Sequence, residues 1–179
     1  MKIALIRHGK TNYNEKHLCN YDPNVDVHLT DSGKHGVHVL AVRLKNADFK
    51  RIYVSELPRT KATAEILNAY HRVPITIDSR LDDNRTGFEG RSVDEYYRAL
   101  AAQPDIMTAR FNEGEALKDV QQRVWSFLNW VHDSGEESVA IVTSMIIVQT
   151  IFGLLHDLTF EQQHAFAVDN AACFHLELP

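Results

Sequence analysis

The segment IALIRHGKTNYN, residues 3–14, joins an apolar run to a polar, turn-prone stretch, and this junction decides the fold. Ile3–Ile6 is short and continuously apolar, which is typical of a strand buried on both faces. Arg7 and His8 end that run, and Gly9 follows them in the expected turn. In an open parallel sheet, the carboxyl ends of the strands border the ligand crevice. The segment therefore predicts a strand that delivers Arg7 and His8 to a binding site.

Strand-like apolar runs alternate with helical patterns through the rest of the chain. Strands are expected at 51–55, 74–78, 139–142 and, as an antiparallel edge strand, 172–178. Apolar residues at helical spacing predict helices along the stripe Ala62, Ile66, Leu67 and Tyr70, at 117–131 and at 145–155. Capping residues predict the start of three more helices: after the N-cap Thr30, after a Ser92–Glu95 capping box and after a Thr159–Gln162 capping box. The alternation predicts a three-layer α/β sandwich, with a mostly parallel sheet and helices on both faces.

Composition places the chain among ordinary globular proteins of one domain. It has 179 residues, of which 44% are hydrophobic and 24% charged. We interpret residues 1–179 as a single domain, in which the polar segment 81–115 is an insertion over the site. The net charge of −5 argues against nucleic acid or an anionic membrane as a partner. A homodimer is compatible with the sequence.

Targeting signals and cysteine usage favour a cytoplasmic location. The apolar run after Met1 is too short for a secretory signal, and no run approaches the length of a membrane span. The only cysteines, Cys19 and Cys173, lie outside any metal-ligand spacing. We expect both to be reduced thiols, as in a reducing compartment.

Three predicted strands end in residues suited to phosphate. The first ends in Arg7-His8, the second leads into Ser55–Thr60 with Arg59, and the late strand ends in Thr143-Ser144. Guanidinium groups match the geometry of phosphate oxygens, and a neutral imidazole can act as a nucleophile. These strand ends would therefore bring two arginines and a histidine to one rim.

Two ordered motifs resemble those of a known family. Arg7-His8-Gly9-Lys10-Thr11, with Asn14 shortly after, is similar to the Arg-His-Gly-x-Thr opening of the histidine phosphatases, the superfamily that includes phosphoglycerate mutases. Ser55-x-Leu57-x-Arg59-Thr60-x-x-Thr63-Ala64 is similar to its second signature. Leu29-Thr30-x-x-Gly33, Gly114-Glu115 before a helix with Arg123, and the Val139–Thr143 strand fit as well. The resemblance covers essentially the whole chain.

The resemblance implies a role for each matched residue. His8 would attack phosphorus and become a phosphohistidine, while Arg7 and Arg59 would hold the phosphoryl oxygens. Thr11 and Asn14 would be lesser phosphate contacts. No metal or cofactor is implied, and the partner would be a small phosphorylated substrate or inorganic phosphate.

The acid/base carboxylate is less clearly marked. The family usually has Glu in a Leu-x-Glu segment ahead of a glycine-rich turn. Here Leu81-Asp82-Asp83 stands in that place, before Gly87-Phe88-Glu89-Gly90. Asp83 is the candidate proton donor, and Asp82 and Glu89 are the alternatives.

The chain departs from the family pattern after its late strand. The family has a second histidine there, which donates to the phosphoryl group in the transition state, and this chain has Ser144. Serine can still donate a hydrogen bond but carries no charge. Three interpretations stay open: a slow or undemanding reaction, a phosphate binder that has lost catalysis, or a substitution introduced to trap a complex. Another histidine such as His28 could also compensate.

We therefore expect hydrolysis of a small phosphomonoester through a phosphohistidine on His8, with activity reduced at Ser144. A non-catalytic phosphate-binding or partner-binding protein of the same fold is the alternative. Mutase activity is disfavoured because the family's mutases are generally longer than 179 residues.

Overall fold

In the computed structural model, which describes residues 1–178, one five-stranded sheet has the order β3-β2-β4-β1-β5. The strands are β1 Lys2–Arg7, β2 Ile52–Val54, β3 Ile75–Ile77, β4 Ser138–Thr143 and β5 Cys173–Glu177. The first four run parallel, and β5 pairs antiparallel with β1 at the edge. The predicted mostly parallel sheet with an antiparallel edge strand is therefore confirmed.

Seven α-helices and a short 3-10 helix, Ser79–Leu81, connect and flank these strands in the described part of the chain. The α-helices are α1 Asn12–Lys16, α2 Asp31–Leu44, α3 Pro58–Asn68, α4 Val93–Ala101, α5 Leu117–Asp133, α6 Met145–His156 and α7 Phe160–Ala165. Thr30 caps α2 by accepting a hydrogen bond from the Gly33 amide, and Thr159 forms a capping box with Gln162 at α7. Between residues 1 and 178, no helix combines the length and hydrophobicity needed to cross a membrane.

The side chains of the sheet alternate between two apolar layers. Ile3 and Leu5 of β1 pack with α5 and α6, whereas Ala4 and Ile6 pack on the opposite face with α2 and α3. The predicted face of α5 is buried along its length: Leu117, Val120, Val124, Phe127, Leu128 and Val131. Helices therefore cover both faces of the sheet, as the predicted three-layer sandwich requires.

Two local predictions were wrong in part. In the predicted stripe of α3, Leu67 is buried and Ala62 and Ile66 pack partly buried against the core, but Tyr70 lies beyond the helix and is half exposed. The buried residues of α3 are Arg59, Thr60, Thr63, Ala64 and Leu67. Ser92 does cap α4, but Glu95 pairs with Arg91 at 2.8 Å instead of completing a capping box.

Candidate active site

Strands β1 and β4 place His8 beside Ser144. The pairing registers Arg7 against Thr143, and the His8 amide donates to the Thr143 carbonyl at 3.0 Å. The chain leaves β1 through Gly9, where a Cβ would lie 2.6 Å from the Val37 side chain and 2.9 Å from the Gly33 carbonyl oxygen. Glycine therefore lets the turn after His8 pack directly against α2.

The hydrogen bonds of His8 define one neutral tautomer. Its Nδ1 lies 2.7 Å from the Gly9 carbonyl oxygen, which can only accept, so Nδ1 carries the proton. Its Nε2 accepts from Nε of Arg59 at 3.1 Å. Burial lowers the pKa of His8 well below its ordinary value, and the charges of Arg59 and Arg7 lower it further. The imidazole is therefore neutral, with the Nε2 lone pair turned toward Arg59.

Arg59 is buried in the first turn of α3 and donates hydrogen bonds to several residues of the site. Besides His8, its guanidinium donates to the side chain and carbonyl of Asn20, to Oδ2 of Asp83 at 2.8 Å and to Oγ of Ser144 at 3.2 Å. Burial lowers its pKa, and the nearby Asp83 carboxylate opposes that shift. These contacts hold a cation within reach of any group bound at His8 Nε2.

Arg7 supplies a second cation from the end of β1. Its Nη1 donates to the carbonyl of Val168. Its Nε is buried and has no hydrogen-bond partner among residues 1–178. Burial lowers the pKa of Arg7, and the neighbouring Arg59 charge lowers it further. An unsatisfied buried donor next to His8 is a position where an anionic oxygen would be stabilised.

The three candidate carboxylates have different surroundings. Asp83 lines the cavity and pairs with Arg59. Oδ1 of Asp82 accepts from the Glu56 amide at 2.7 Å, and Glu89 accepts from Asn20 and from the amides of Tyr21 and Asp22. Burial raises the pKa of Asp82 to about 6, a value suited to a proton donor, but its position ties it to the loop before α3. Of the three, Asp83 is the cavity residue.

Thr11 and Asn14 meet at the start of α1. Each caps the other: Asn14 N donates to Thr11 Oγ1 at 3.0 Å, and Thr11 N donates to Asn14 Oδ1 at 3.1 Å. Asn170 joins Asn14 Oδ1 to the His8 carbonyl, with 3.2 Å to each. Both predicted residues line the same cavity as His8.

Ser144 is the buried N-cap of α6, and its Oγ accepts from Arg59 rather than capping the helix. The first amides of α6 therefore face the site without a side-chain cap. His28, considered as a replacement for the absent histidine, is exposed and pairs with Asp26. It is not among the residues that line the cavity.

A buried ion pair holds the loop that carries Asp83. Arg123 of α5 binds Glu115 through two bonds of 3.0 and 2.8 Å. The same guanidinium donates to the carbonyls of Arg80 and Asp83, and Glu115 accepts from the Arg85 amide. The pair therefore fixes the backbone on both sides of Asp83.

Six of the candidate residues line one cavity of about 760 Å³, open space at its mouth included: Arg7, His8, Thr11, Asn14, Arg59 and Asp83. Ser144, Asp82 and Glu89 are not part of its lining. No motif marked Asn20, Asn170 or His164 as a site residue. Asn20 and Asn170 lie in loops, and the capping box that predicts α7 carries no information about the role of His164. Thr63 lay inside the second motif, and its Oγ1 accepts from the Gly9 amide at 3.1 Å.

Comparison with known proteins agrees with this fold. The model of the family described as histidine phosphatase superfamily (branch 1) matches residues 3–179, so the chain belongs to that superfamily. A relative from Escherichia coli O1:K1 / APEC, named probable phosphoglycerate mutase GpmB, is 29% identical over 166 residues, 86% of this chain and 76% of the relative.

Solved structures share the fold along the whole chain. The alpha-ribazole phosphatase from Shigella flexneri superposes with a TM-score of 0.85 at 23% identity, covering 100% of this chain and 91% of its own. YhfR from Bacillus stearothermophilus gives 0.86 at 24%, covering 99% and 91%. A mycobacterial glucosyl-3-phosphoglycerate phosphatase gives 0.81 at 21%, covering 98% and 90%. At these identities the likeness shows the fold.

Proposed function

We propose that the protein hydrolyses a small phosphomonoester through a phosphohistidine on His8. The observation that carries this proposal is a neutral, buried imidazole whose Nε2 accepts a hydrogen bond from the buried Arg59 guanidinium, in a cavity that Arg7 also lines. A neutral Nε2 has the lone pair that a nucleophile needs. The cations of Arg7 and Arg59 stabilise negative charge on the phosphoryl oxygens.

In the first step, the Nε2 lone pair of His8 forms a bond to phosphorus while the bond from phosphorus to the leaving oxygen breaks. Arg59 Nε gives up its bond to His8 and turns to a phosphoryl oxygen. In the second step, a water oxygen bonds to phosphorus and the P–N bond breaks, which returns the electron pair to His8 and releases inorganic phosphate.

Asp83 is the proposed proton carrier. It delivers a proton to the departing alkoxide in the first step and takes one from the attacking water in the second. Its place in the cavity beside Arg59 supports this role. Asp82 and Glu89 instead accept hydrogen bonds from backbone amides that shape the surrounding loops.

Ser144 favours a second candidate, a phosphate-binding protein with little or no turnover. A serine at this position offers a hydroxyl but no positive charge. Loss of one preorganised donor to a transition state costs about 10²–10³ in rate. Phosphate binding would be affected less, because Arg7, Arg59 and the amides at the start of α6 remain.

One set of variants separates the two functions. Phosphate release from an aryl phosphate is measured for the wild type, His8→Ala, Ser144→His, Asp83→Asn and Asp82→Asn. We expect a measurable rate for the wild type and none for His8→Ala. Asp83→Asn should lower the rate by about 10²–10⁴, whereas Asp82→Asn should change it by no more than a fewfold. Ser144→His should raise the rate by up to about 10²–10³.

The binding alternative gives a different pattern. The wild type would then release no phosphate, yet it would bind inorganic phosphate with an affinity that falls in Arg7→Met. Equal rates in the wild type and His8→Ala would contradict a phosphohistidine. Absence of phosphate binding together with no gain from Ser144→His would refute both functions.

A further inference from the structure

Besides its polar residues, the cavity lining has an apolar and aromatic part. This part is formed by side chains from α4, α5, α6 and α7 and from the loop after α1: Leu18, Val93, Tyr96, Tyr97, Leu117, Met145, Ile146 and Phe160. Burial raises the pKa of Tyr97 to about 12, so its hydroxyl stays neutral. Such a wall accommodates a ring or hydrocarbon group next to the phosphate site.

The charges of the cavity are matched to a single anionic group. Its lining holds the cations of Arg7 and Arg59 and the carboxylate of Asp83, and the described residues add no lysine or third arginine to it. In the proposed complex the phosphoryl group pairs with both guanidiniums. A carboxylate elsewhere on the substrate would then find no further cation in the lining, which is unfavourable wherever that carboxylate is removed from water.

His164 brings an unused acceptor to the same cavity. Its Nδ1 lies 2.9 Å from the Phe160 carbonyl oxygen, so Nδ1 carries the proton of the neutral ring. The ring stacks on Phe160 at a centroid distance of 3.7 Å, which fixes its orientation. Its Nε2 is buried and has no hydrogen-bond partner among residues 1–178. Burial lowers the pKa of His164, which keeps this Nε2 unprotonated at neutral pH.

From this arrangement we infer that His164 selects the substrate, by accepting at Nε2 a hydrogen bond from a hydroxyl or N–H on an uncharged, ring-bearing organic group. The inference rests on the proposed function, because it places the phosphoryl group of that substrate at His8. A buried acceptor that remains unpaired is costly, so ligands that offer a donor are preferred over those that do not. The apolar part of the lining would bury apolar surface of the ligand, and His164 would favour ligands that carry a hydrogen-bond donor.

Binding of phosphonates tests the inference without turnover. The ligands are benzylphosphonate, its 2-, 3- and 4-hydroxy derivatives and 4-carboxybenzylphosphonate, measured by titration calorimetry. The variant is His164→Phe, which keeps a stacking ring and removes the acceptor. His132→Phe makes the same change at an exposed position of α5, outside the cavity, and serves as the matched control.

We expect one hydroxy isomer to bind the wild type up to about tenfold more tightly than benzylphosphonate. His164→Phe should remove this gain and bind benzylphosphonate at least as tightly as the wild type does, because no acceptor is then left unpaired, and this binding also reports that the variant is folded. His132→Phe should retain the gain. The carboxy derivative should bind more than about tenfold more weakly than benzylphosphonate.

The contrary results are distinct. If no hydroxy isomer gains affinity, or if the gain persists in His164→Phe, the role of His164 is overturned. If the carboxy derivative binds as well as benzylphosphonate, the restriction to uncharged organic groups is overturned. If the phosphonates bind equally to the wild type and Arg7→Met, or do not bind at all, the phosphate site itself fails, and the inference fails with it.

Discussion

Removing the Arg123 guanidinium should loosen the loop that carries Asp83. Arg123→Met keeps the length of the side chain but deletes the two bonds to Glu115 and those to the carbonyls of Arg80 and Asp83. It leaves the Glu115 carboxylate, whose side chain is 6% exposed, with the Arg85 amide as its remaining donor. The loss therefore combines an unpaired buried charge with freed backbone carbonyls.

The loss of stability expected in Arg123→Met follows from the burial of the ion pair. Breaking a buried ion pair by removing one partner costs about 3–5 kcal/mol. The Arg123 side chain is 19% exposed, so part of its interaction is screened by solvent, and we take the lower end, about 3 kcal/mol. For a domain of this size that corresponds to a fall in melting temperature of roughly 6–12 °C.

Urea unfolding of the wild type, Arg123→Met, Glu115→Gln and the double variant measures this coupling. The double-mutant cycle should give an interaction energy of about 1–3 kcal/mol. Arg110→Met is the matched control, because Arg110 pairs with Asp119 at an exposed position and should change stability by less than about 0.5 kcal/mol. Turnover should fall more than phosphate affinity in Arg123→Met, since Asp83 is displaced while Arg7 and His8 stay in place.

This reasoning is refuted if the effects of Arg123→Met and Glu115→Gln on the free energy of unfolding are additive in the double variant. It is also refuted if Arg123→Met is as stable as the Arg110→Met control. Unchanged turnover in a destabilised Arg123→Met protein would show that the pair supports the fold without positioning Asp83.

Two further predictions concern the turn after β1 and the protonation of His8. A Cβ at Gly33 would lie 2.0 Å from the Lys10 carbonyl oxygen, whereas one at Gly36 has its nearest neighbour at 3.9 Å. Gly33→Ala should therefore lower the free energy of unfolding in urea by about 1–3 kcal/mol, whereas Gly36→Ala should raise it by about 0.5–1 kcal/mol by stabilising α2. Equal effects of the two variants would contradict the close packing at Gly33. The pKa of His8 is lower in the folded than in the unfolded chain, so its contribution to stability is complete above pH about 6.5 and is lost as the pH falls toward the folded pKa. Below pH about 6.5, the free energy of unfolding of the wild type should therefore fall relative to that of His8→Gln by up to about 1.4 kcal/mol per pH unit. A difference between the two proteins that stays constant from pH 7 to pH 5 would contradict a neutral buried His8.

The sequence by itself determined the elements and their layering. Apolar runs marked the strands, and the periodic face of α5 matched the buried residues from Leu117 to Val131. Each apolar run also showed where its strand ends, and this predicted the positions of Arg7 at the end of β1, of His8 just after it, and of Ser144 after β4. These features are local, because burial of a strand or helix is recorded in the residues of that element itself.

The tertiary structure decided the remainder of the site. The buried face of α3 is polar at its start, because Arg59 and Thr63 turn toward His8 instead of an apolar core, and hydrophobic periodicity cannot detect such a face. Asp83 was separated from Asp82 only by which carboxylate lines the cavity. Asn20 and His164 reach the site from segments distant in sequence, and their positions depend on packing that no short pattern records.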